Sequence, residues 1–250
     1  MWEEKEFIDP FDKEIHYFWM KIEHYGRYLF ACDEIRKHGG LKQCIADVGC
    51  ANGYGSRLLS DVAQTVDGYD INDDYLNTAR ELAKKGQSFF HVDFEMPVKP
   101  SERLYDVIVS FEFLEHLASP DNALKFMYNS LRDTGILICS VPNHLYEGKD
   151  ENGTPSNPFH KRIYCKEEII EIFSQNGFHV ENIYGQAFPN IFAKKEAKLA
   201  RKKRLPITSS RSELFEKEDV LKYFSYLIAY PDDLLIEQSY SYIYILRKYI

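Results

Sequence analysis

The stretch Ile45-Ala46-Asp47-Val48-Gly49-Cys50-Ala51-Asn52-Gly53-Tyr54-Gly55-Ser56 decides how this chain reads. A short apolar run, Ile45, Ala46 and Val48, carries one acid, Asp47, and leads into Gly49, Gly53 and Gly55. The segment Arg57 to Ala63 that follows has helical character, so the order is strand, glycine turn, helix. A turn that brings backbone within contact distance of a ligand needs positive φ and no Cβ in the way, and glycine supplies both. The first amides of the next helix lack intrahelical partners and favour an anionic group such as a phosphate or carboxylate. The stretch therefore reads as a small-molecule cradle. It is not a dinucleotide fingerprint, because G-x-G-x-x-G would need a third glycine where Leu58 stands.

Composition narrows the field. The 250 residues are 44% hydrophobic and 28% charged, the balance of an ordinary globular chain able to bury a sizeable core. A formal net charge of -8 counts against a general nucleic-acid binder, whose non-specific affinity comes from neutralising phosphates, so no DNA partner is expected. The five cysteines, Cys32, Cys44, Cys50, Cys139 and Cys165, form no C-x-x-C pair, and an odd number is poor material for a disulfide framework. That usage suits a reducing compartment, and the expected location is cytoplasmic. The start Met-Trp-Glu-Glu-Lys-Glu lacks the regions of a signal peptide. No run approaches the roughly 18 apolar residues of a membrane span.

Outward from the cradle, strands and helices alternate. Upstream, Ile15, Phe18, Trp19 and Ile22 recur at helical spacing, Gly26 interrupts, and Tyr28, Leu29 and Ile35 continue. This predicts two helices, or one kinked helix, over 12–38. Downstream, Val66 to Asp70 is a strand ending in an acid, and Asn72 is placed to cap a helix bearing Leu76, Ala79, Leu82 and Ala83, stopped at Gly86. Ser88 to Asp93 and Tyr105 to Phe111 are further strands, the latter with the continuous apolar centre of a buried parallel strand. Ser119-Pro120 opens a helix with Leu124, Met127, Tyr128 and Leu131 on one face, and Gly135 to Val141 is the fifth strand. Residues 143–165 lack periodicity and hold Gly148, Gly153, Pro155 and Pro158, a long loop of the kind that carries function. A helix Lys166 to Gln175, a strand Phe178 to Tyr184 and a tyrosine-rich strand Ser239 to Arg247 follow, with an insertion between these last two strands. Within it, Lys194 to Arg204 has seven basic residues and one acid, suiting a solvated helix face, an anionic substrate or a membrane surface.

Strand ends collect the chemistry, as in open parallel sheets whose ligands bind at the carboxyl edge. Asp70 is suited to accept both hydroxyls of a ribose, and Asp93-Phe94 offers an acceptor for an exocyclic amine beside an apolar face for a purine ring. The order Asp-x-Gly-x-x-x-Gly-x-Gly over Asp47 to Gly55, with Asp70, Asp93 and the run Tyr105 to Leu117, resembles class I S-adenosylmethionine-dependent methyltransferases across roughly 25–184. Leu131 to Leu137 is similar to that family's Leu-x-Pro-Gly-Gly-x-Leu turn, with Asp133 and Thr134 in place of Pro-Gly. Two looser stretches, Glu23 to Tyr28 and Asn157 to Tyr164, are similar to segments of bacterial methyltransferases associated with sugar and cell-surface polysaccharide biosynthesis.

The resemblance implies S-adenosylmethionine as cofactor. In that likeness Asp47, Gly49, Cys50, Ala51 and Gly53 form the cradle, Asp70 with Ile71 and Asp93 with Phe94 flank the adenosine, and Ser110 and Phe111 end the fourth strand beside it. Arg27 would clamp the methionine carboxylate and Tyr28 would wall the pocket. The implied reaction moves the sulfonium methyl to a small-molecule acceptor, expected to be a hydroxyl of a sugar, nucleotide sugar or related metabolite. Catalysis is then in-line positioning plus a base for the hydroxyl proton. His116 and His160 are the candidate bases, since imidazole titrates near neutrality. Glu112 and Glu115 read as acids at a helix start, and no group at metal-ligand spacing stands out, so no metal is expected. Two alternatives stay open: RNA or protein as the acceptor, using 194–204, or a domain that binds the cofactor without turnover.

The fold expected is α/β, a Rossmann-like, doubly wound, mostly parallel seven-stranded sheet with helices on both faces. The chain reads as a single domain over 1–250: N-terminal helices in 1–40, a cofactor-binding core in 41–184, a substrate or cap insertion in 185–237 and the last strand in 238–250.

Overall fold

The computed structural model describes residues 7–12, 18–39, 42–151, 153–186, 217–234 and 236–249, with Lys194, Lys198 and Lys202. Among these, seven strands form one sheet: β1 Cys44–Val48, β2 Thr65–Asp70, β3 Gln87–His91, β4 Tyr105–Phe111, β5 Leu131–Pro142, β6 Phe178–Gln186 and β7 Ser241–Lys248. Their order across the sheet is β3-β2-β1-β4-β5-β7-β6. Strands β1 to β5 pair in parallel, and β7 runs antiparallel between β5 and β6. Chain progress across the sheet reverses between β1 and β4. The loops leaving those two strands therefore diverge and open a crevice at the carboxyl edge.

Side chains of a strand point alternately to opposite faces, and here each face has its own core. Val107, Val109, Ile136, Ile138, Ile243 and Ile245 face helices α1 Phe18–Lys37, α2 Tyr54–Leu59 and α6 Glu218–Ile228. Ile108, Leu137, Cys139, Tyr242 and Tyr244 face α4 Asp121–Ser130 and α5 Lys166–Gln175. Covering both faces explains why β4 reads as a continuous apolar run rather than an alternating one. The expected Rossmann-like sheet is the fold observed. Local differences follow from tertiary contacts. Helix α3 Asp73–Glu81 ends early, leaving Leu82 and Ala83 exposed beyond it. Leu131 leaves the α4 face to begin β5, where it pairs with Tyr105.

Among the described residues of the upstream segment there is one helix. Helix α1 runs unbroken through Gly26, where an ideal Cβ would lie 2.5 Å from the carbonyl oxygen of Ala229. Glycine stands there to let α1 and the end of α6 approach, not to end a helix. The described helix of the insertion, α6, braces α1. The Tyr25 hydroxyl donates to Glu218 at 2.8 Å, Phe18 meets Phe224 edge to face, and the Tyr230 hydroxyl donates to Asp33 at 2.9 Å. Ile15 and the rest of the basic run lie outside the described residues.

Gly26→Ala tests which effect wins. Helix propensity alone would favour alanine by roughly 0.5–1 kcal/mol. Overpacking against a backbone carbonyl costs about 1–3 kcal/mol. The variant is therefore expected to be less stable, with a lower urea midpoint at unchanged slope. A raised midpoint would refute the close-approach reading.

Candidate active site

The glycine turn is held from both sides. Gly49 N and Cys50 N donate to the Tyr69 carbonyl on β2 at 2.8 and 3.1 Å, and Ala51 N donates to Asp70 Oδ2 at 2.8 Å. Beneath it, Asp47 accepts from the Tyr28 hydroxyl at 3.1 Å and from Ser56 Oγ at 2.6 Å. Asp47 is fully buried, and burial pushes its carboxyl up to about 6 against the pull of those two bonds. It ties α1 and α2 to β1. Each glycine makes room for an aromatic ring that fixes the turn: Phe113 against Gly49, Phe89 against Gly53, and Tyr28 against Gly55, which lies inside α2.

A cavity of about 590 Å³ runs along the carboxyl edge from Asp70 to His160. At its first end, Asp70 Oδ1 accepts from Asn72 N at 2.9 Å and Oδ2 from Ala51 N at 2.8 Å, which leaves a lone pair on each oxygen. Burial raises the Asp70 pKa, and the backbone N–H groups oppose it. Ile71, 54% exposed, presents apolar surface to the same space. In the middle, Arg27 Nε donates to Gln186 Oε1 and an Arg27 terminal nitrogen to Glu23 Oε1, both at 2.7 Å. The expected carboxylate clamp thus has only the remaining donors of a guanidinium already tied into a buried network. Two non-glycine residues on the wall, Ala51 and Glu112, have φ of 45° and 48°. Such backbone persists where the surroundings over-determine it. For Glu112 these are bonds from its N to Ser140 O and Oγ, at 3.2 and 3.0 Å.

At the far end, the rings of His116 and His160 meet edge to face with centroids 4.8 Å apart. His116 Nδ1 lies 3.0 Å from the Phe159 carbonyl oxygen. A carbonyl only accepts, so Nδ1 carries the proton and Nε2 keeps its lone pair. Burial and then His160 lower the His116 pKa to about 4, which keeps the ring neutral. His160 Nδ1 meets the Glu147 carboxylate, and its Nε2 is 2.9 Å from Asn157 Nδ2. Asn157 Oδ1 accepts from Phe159 N at 3.0 Å, which fixes the amide the same way round. Glu115 sits on the 3₁₀ turn Leu114–His116, fully buried, and neither carboxylate oxygen has a hydrogen-bond partner among the described residues. Burial, reinforced by Glu112, holds its pKa well above the carboxylate range. One ligand atom each from Glu115, His116 and His160 lies within 4.8 Å of the others. The sequence reading assembled no such group. Glu115 lies in the first turn of the 3₁₀ helix that follows β4, as an acid at a helix start would.

A family model described as a methyltransferase domain matches residues 22–183. The chain belongs to this methyltransferase domain family. A probable S-adenosylmethionine-dependent methyltransferase of Mycolicibacterium smegmatis is 31% identical over 143 residues, 56% of this chain and 54% of its own. The ubiquinone biosynthesis O-methyltransferase of Rickettsia canadensis is 23% identical over 218 residues, 79% of this chain and 92% of its own. The crystal structure of an S-adenosylmethionine-dependent methyltransferase from Mesorhizobium loti has a TM-score of 0.57 at 14% identity, covering 87% of this chain and 96% of that one, a likeness of fold. The chain spans about half the length of the first curated relatives it matches.

The methyl donor of such methyltransferases is S-adenosylmethionine, and the cavity fits it. The lone pairs of Asp70 suit ribose hydroxyls, Ile71 offers apolar surface beside them, and a sulfonium cation suits a wall with four carboxylates, Glu23, Asp70, Glu112 and Glu147, against the guanidinium of Arg27. Of the residues expected at the cofactor, Arg27, Tyr28, Gly49, Cys50, Ala51, Asp70, Ile71 and Phe111 line the cavity, as do His116 and His160. The others support it from behind. Asp93 accepts from Glu95 N, Phe94 packs on Phe113 and Phe126, and Ser110 is buried within β4, while Asp47 and Gly53 hold the turn.

Asp70→Ala is expected to weaken S-adenosylmethionine binding at least tenfold by calorimetry. Hydrogen bonds to a charged group are worth roughly 1.5–3 kcal/mol each, and tenfold needs only about 1.4 kcal/mol. Unchanged affinity in a folded variant would remove Asp70 from the ribose.

Proposed function

We propose that this methyltransferase moves a methyl group from S-adenosylmethionine to a hydroxyl oxygen of a small, uncharged polar acceptor, a sugar or related hydroxylated metabolite. The observation that carries the reading is continuity, since one cavity joins Asp70 and the glycine turn to His116, His160, Tyr146 and Tyr240. The bound cofactor supplies an electrophilic methyl on sulfur. The protein's part is to present a nucleophile in line and take charge of its proton. His116, with Nε2 unengaged by any described residue, and His160, seated on Glu147, are the groups at hand for that proton. Tyr146 and Tyr240, 44% and 40% exposed, offer the rings and hydroxyls that a sugar stacks on and bonds to. The wall carboxylates disfavour a phosphate-bearing acceptor, which counts against RNA and nucleotide sugars alike. The name of the Rickettsia canadensis relative supports oxygen as the methylated atom and a small molecule as the acceptor class. The stretches Glu23 to Tyr28 and Asn157 to Tyr164 support the sugar within that class.

Methyl-labelled cofactor offered with neutral sugars, phenols, nucleotide sugars and RNA tests the reading. Label is expected on an oxygen of a neutral hydroxylated acceptor. Label confined to RNA, to protein or to nitrogen would overturn it.

A further inference from the structure

We propose that Glu115, His116 and His160, with Glu147 behind them, form a site for one divalent transition-metal cation at the acceptor end of the cavity. Their ligand atoms already lie within 4.8 Å of one another, although the residues come from two segments far apart in sequence. Metal–ligand bonds of about 2.0–2.2 Å would draw such atoms together by small side-chain rotations. The two segments are locked to each other by backbone bonds, since the Glu115 carbonyl accepts from Lys161 N at 2.8 Å and Arg162 N at 3.1 Å.

The strongest indication is Glu115. Burying a carboxylate without a donor is costly, and both of its oxygens are buried and unpartnered among the described residues. A cation between it and the two rings removes that cost. Glu147 adds a third buried oxygen, Oε2, likewise unpartnered among the described residues. Both histidines are also set as ligands commonly are, with Nδ1–H committed to an oxygen behind the ring: Phe159 O for His116 and Glu147 for His160. That leaves Nε2 for the metal, once the Asn157 amide turns aside from His160. Two imidazoles with carboxylates suit Mn²⁺, Fe²⁺, Co²⁺ or Zn²⁺, whereas Mg²⁺ and Ca²⁺ prefer an all-oxygen shell.

The cation's catalytic role rests on the acceptor reading above, but its binding does not. Held there, it would bind the acceptor oxygen and lower the pKa of its hydroxyl. The O–H proton passes to solvent, the C–O bond forms as the S–C bond breaks, and the sulfonium leaves as a neutral thioether.

The test uses Mn²⁺ alone, a probe that the free cysteines bind poorly. With free Mn²⁺ counted by electron paramagnetic resonance, the intact chain is expected to hold about one ion, displaced by Zn²⁺ and not by equal Mg²⁺. Glu115→Gln and His160→Ala are each expected to weaken binding about tenfold or more, the lower end of what losing such a group costs. Glu115→Gln keeps the shape and the neutrality of the buried protonated acid but cannot become a carboxylate ligand, so its metal-free melting temperature should hold, which separates lost binding from misfolding. A chain that binds neither Mn²⁺ nor Zn²⁺, or variants that bind as well as the parent, would overturn the site. Full turnover after chelation would overturn the catalytic role. Metal binding with no transfer to any hydroxyl would count against the acceptor reading alone and leave the site standing.

Discussion

Gly49→Val is expected to abolish the thermal stabilisation that S-adenosylmethionine gives, while the chain still folds. Gly49 has φ of +80°, a region that a β-branched side chain rarely enters, and an ideal Cβ there lies 2.6 Å from Phe113 Cδ2 and 2.9 Å from Phe113 Cβ. Contact with Cβ as well as the ring means that rotating the ring is not enough, so the Phe113 backbone must move. Its neighbour Glu112 is anchored, because the side chain accepts from Ser140 Oγ at 2.7 Å and Ser241 Oγ at 3.2 Å. The strain therefore falls on the turn, whose N–H groups at Gly49 and Cys50 hold it to Tyr69. Ligand at 100 times its Kd stabilises a protein by about 2.7 kcal/mol, so a vanished shift at that concentration reports a loss of about a hundredfold or more. A normal shift in the variant would contradict the cradle. A variant that does not fold would show that the Phe113 contact supports the core as well as the turn.

How much of this was legible in the sequence follows the range of the interactions. Strand β4 and helix α5 have the bounds that the residue pattern predicts, because a continuous apolar run and a capped 3.6-residue period are local signals. The Asn72 cap is local too, and its side chain accepts from Asp74 N and Tyr75 N. The place of Asp70 on the cavity wall was readable because it ends a strand at the carboxyl edge of the sheet. Gly26 was misread because its reason, the Ala229 carbonyl, comes from the far end of the chain. The bond from Tyr28 to Asp47 and the Tyr28 ring against Gly55 carry no local signal either, since Tyr28 arrives on α1. Glu115 and Glu147 carried no signal of their own. Only the docking of the 143–165 loop onto the turn after β4 turns an acid and two histidines into a group.

His116→Ala is expected to lower turnover by roughly 10²-fold or more with cofactor affinity unchanged, whether the ring takes the acceptor proton itself or holds the cation that acidifies it. His116 is a sharper target than His160 because its Nε2 is unengaged, whereas both nitrogens of His160 have partners in Glu147 and Asn157. The two rings share an edge-to-face contact and one end of the cavity, so their effects should not add. The double variant His116→Ala/His160→Ala is expected to fall little below the worse single one, as groups acting as a unit do. Strictly multiplied losses would mean two independent roles, one ring serving the reaction and the other the loop. A single-variant loss confined to acceptor KM would assign His116 to binding, because an interaction equal in ground and transition states leaves kcat alone. The cofactor end provides the control. Asp70 and Ala51 bond each other and not His116, so a His116 variant that also lost cofactor affinity would have disturbed the turn through Phe113 rather than removed a reacting group.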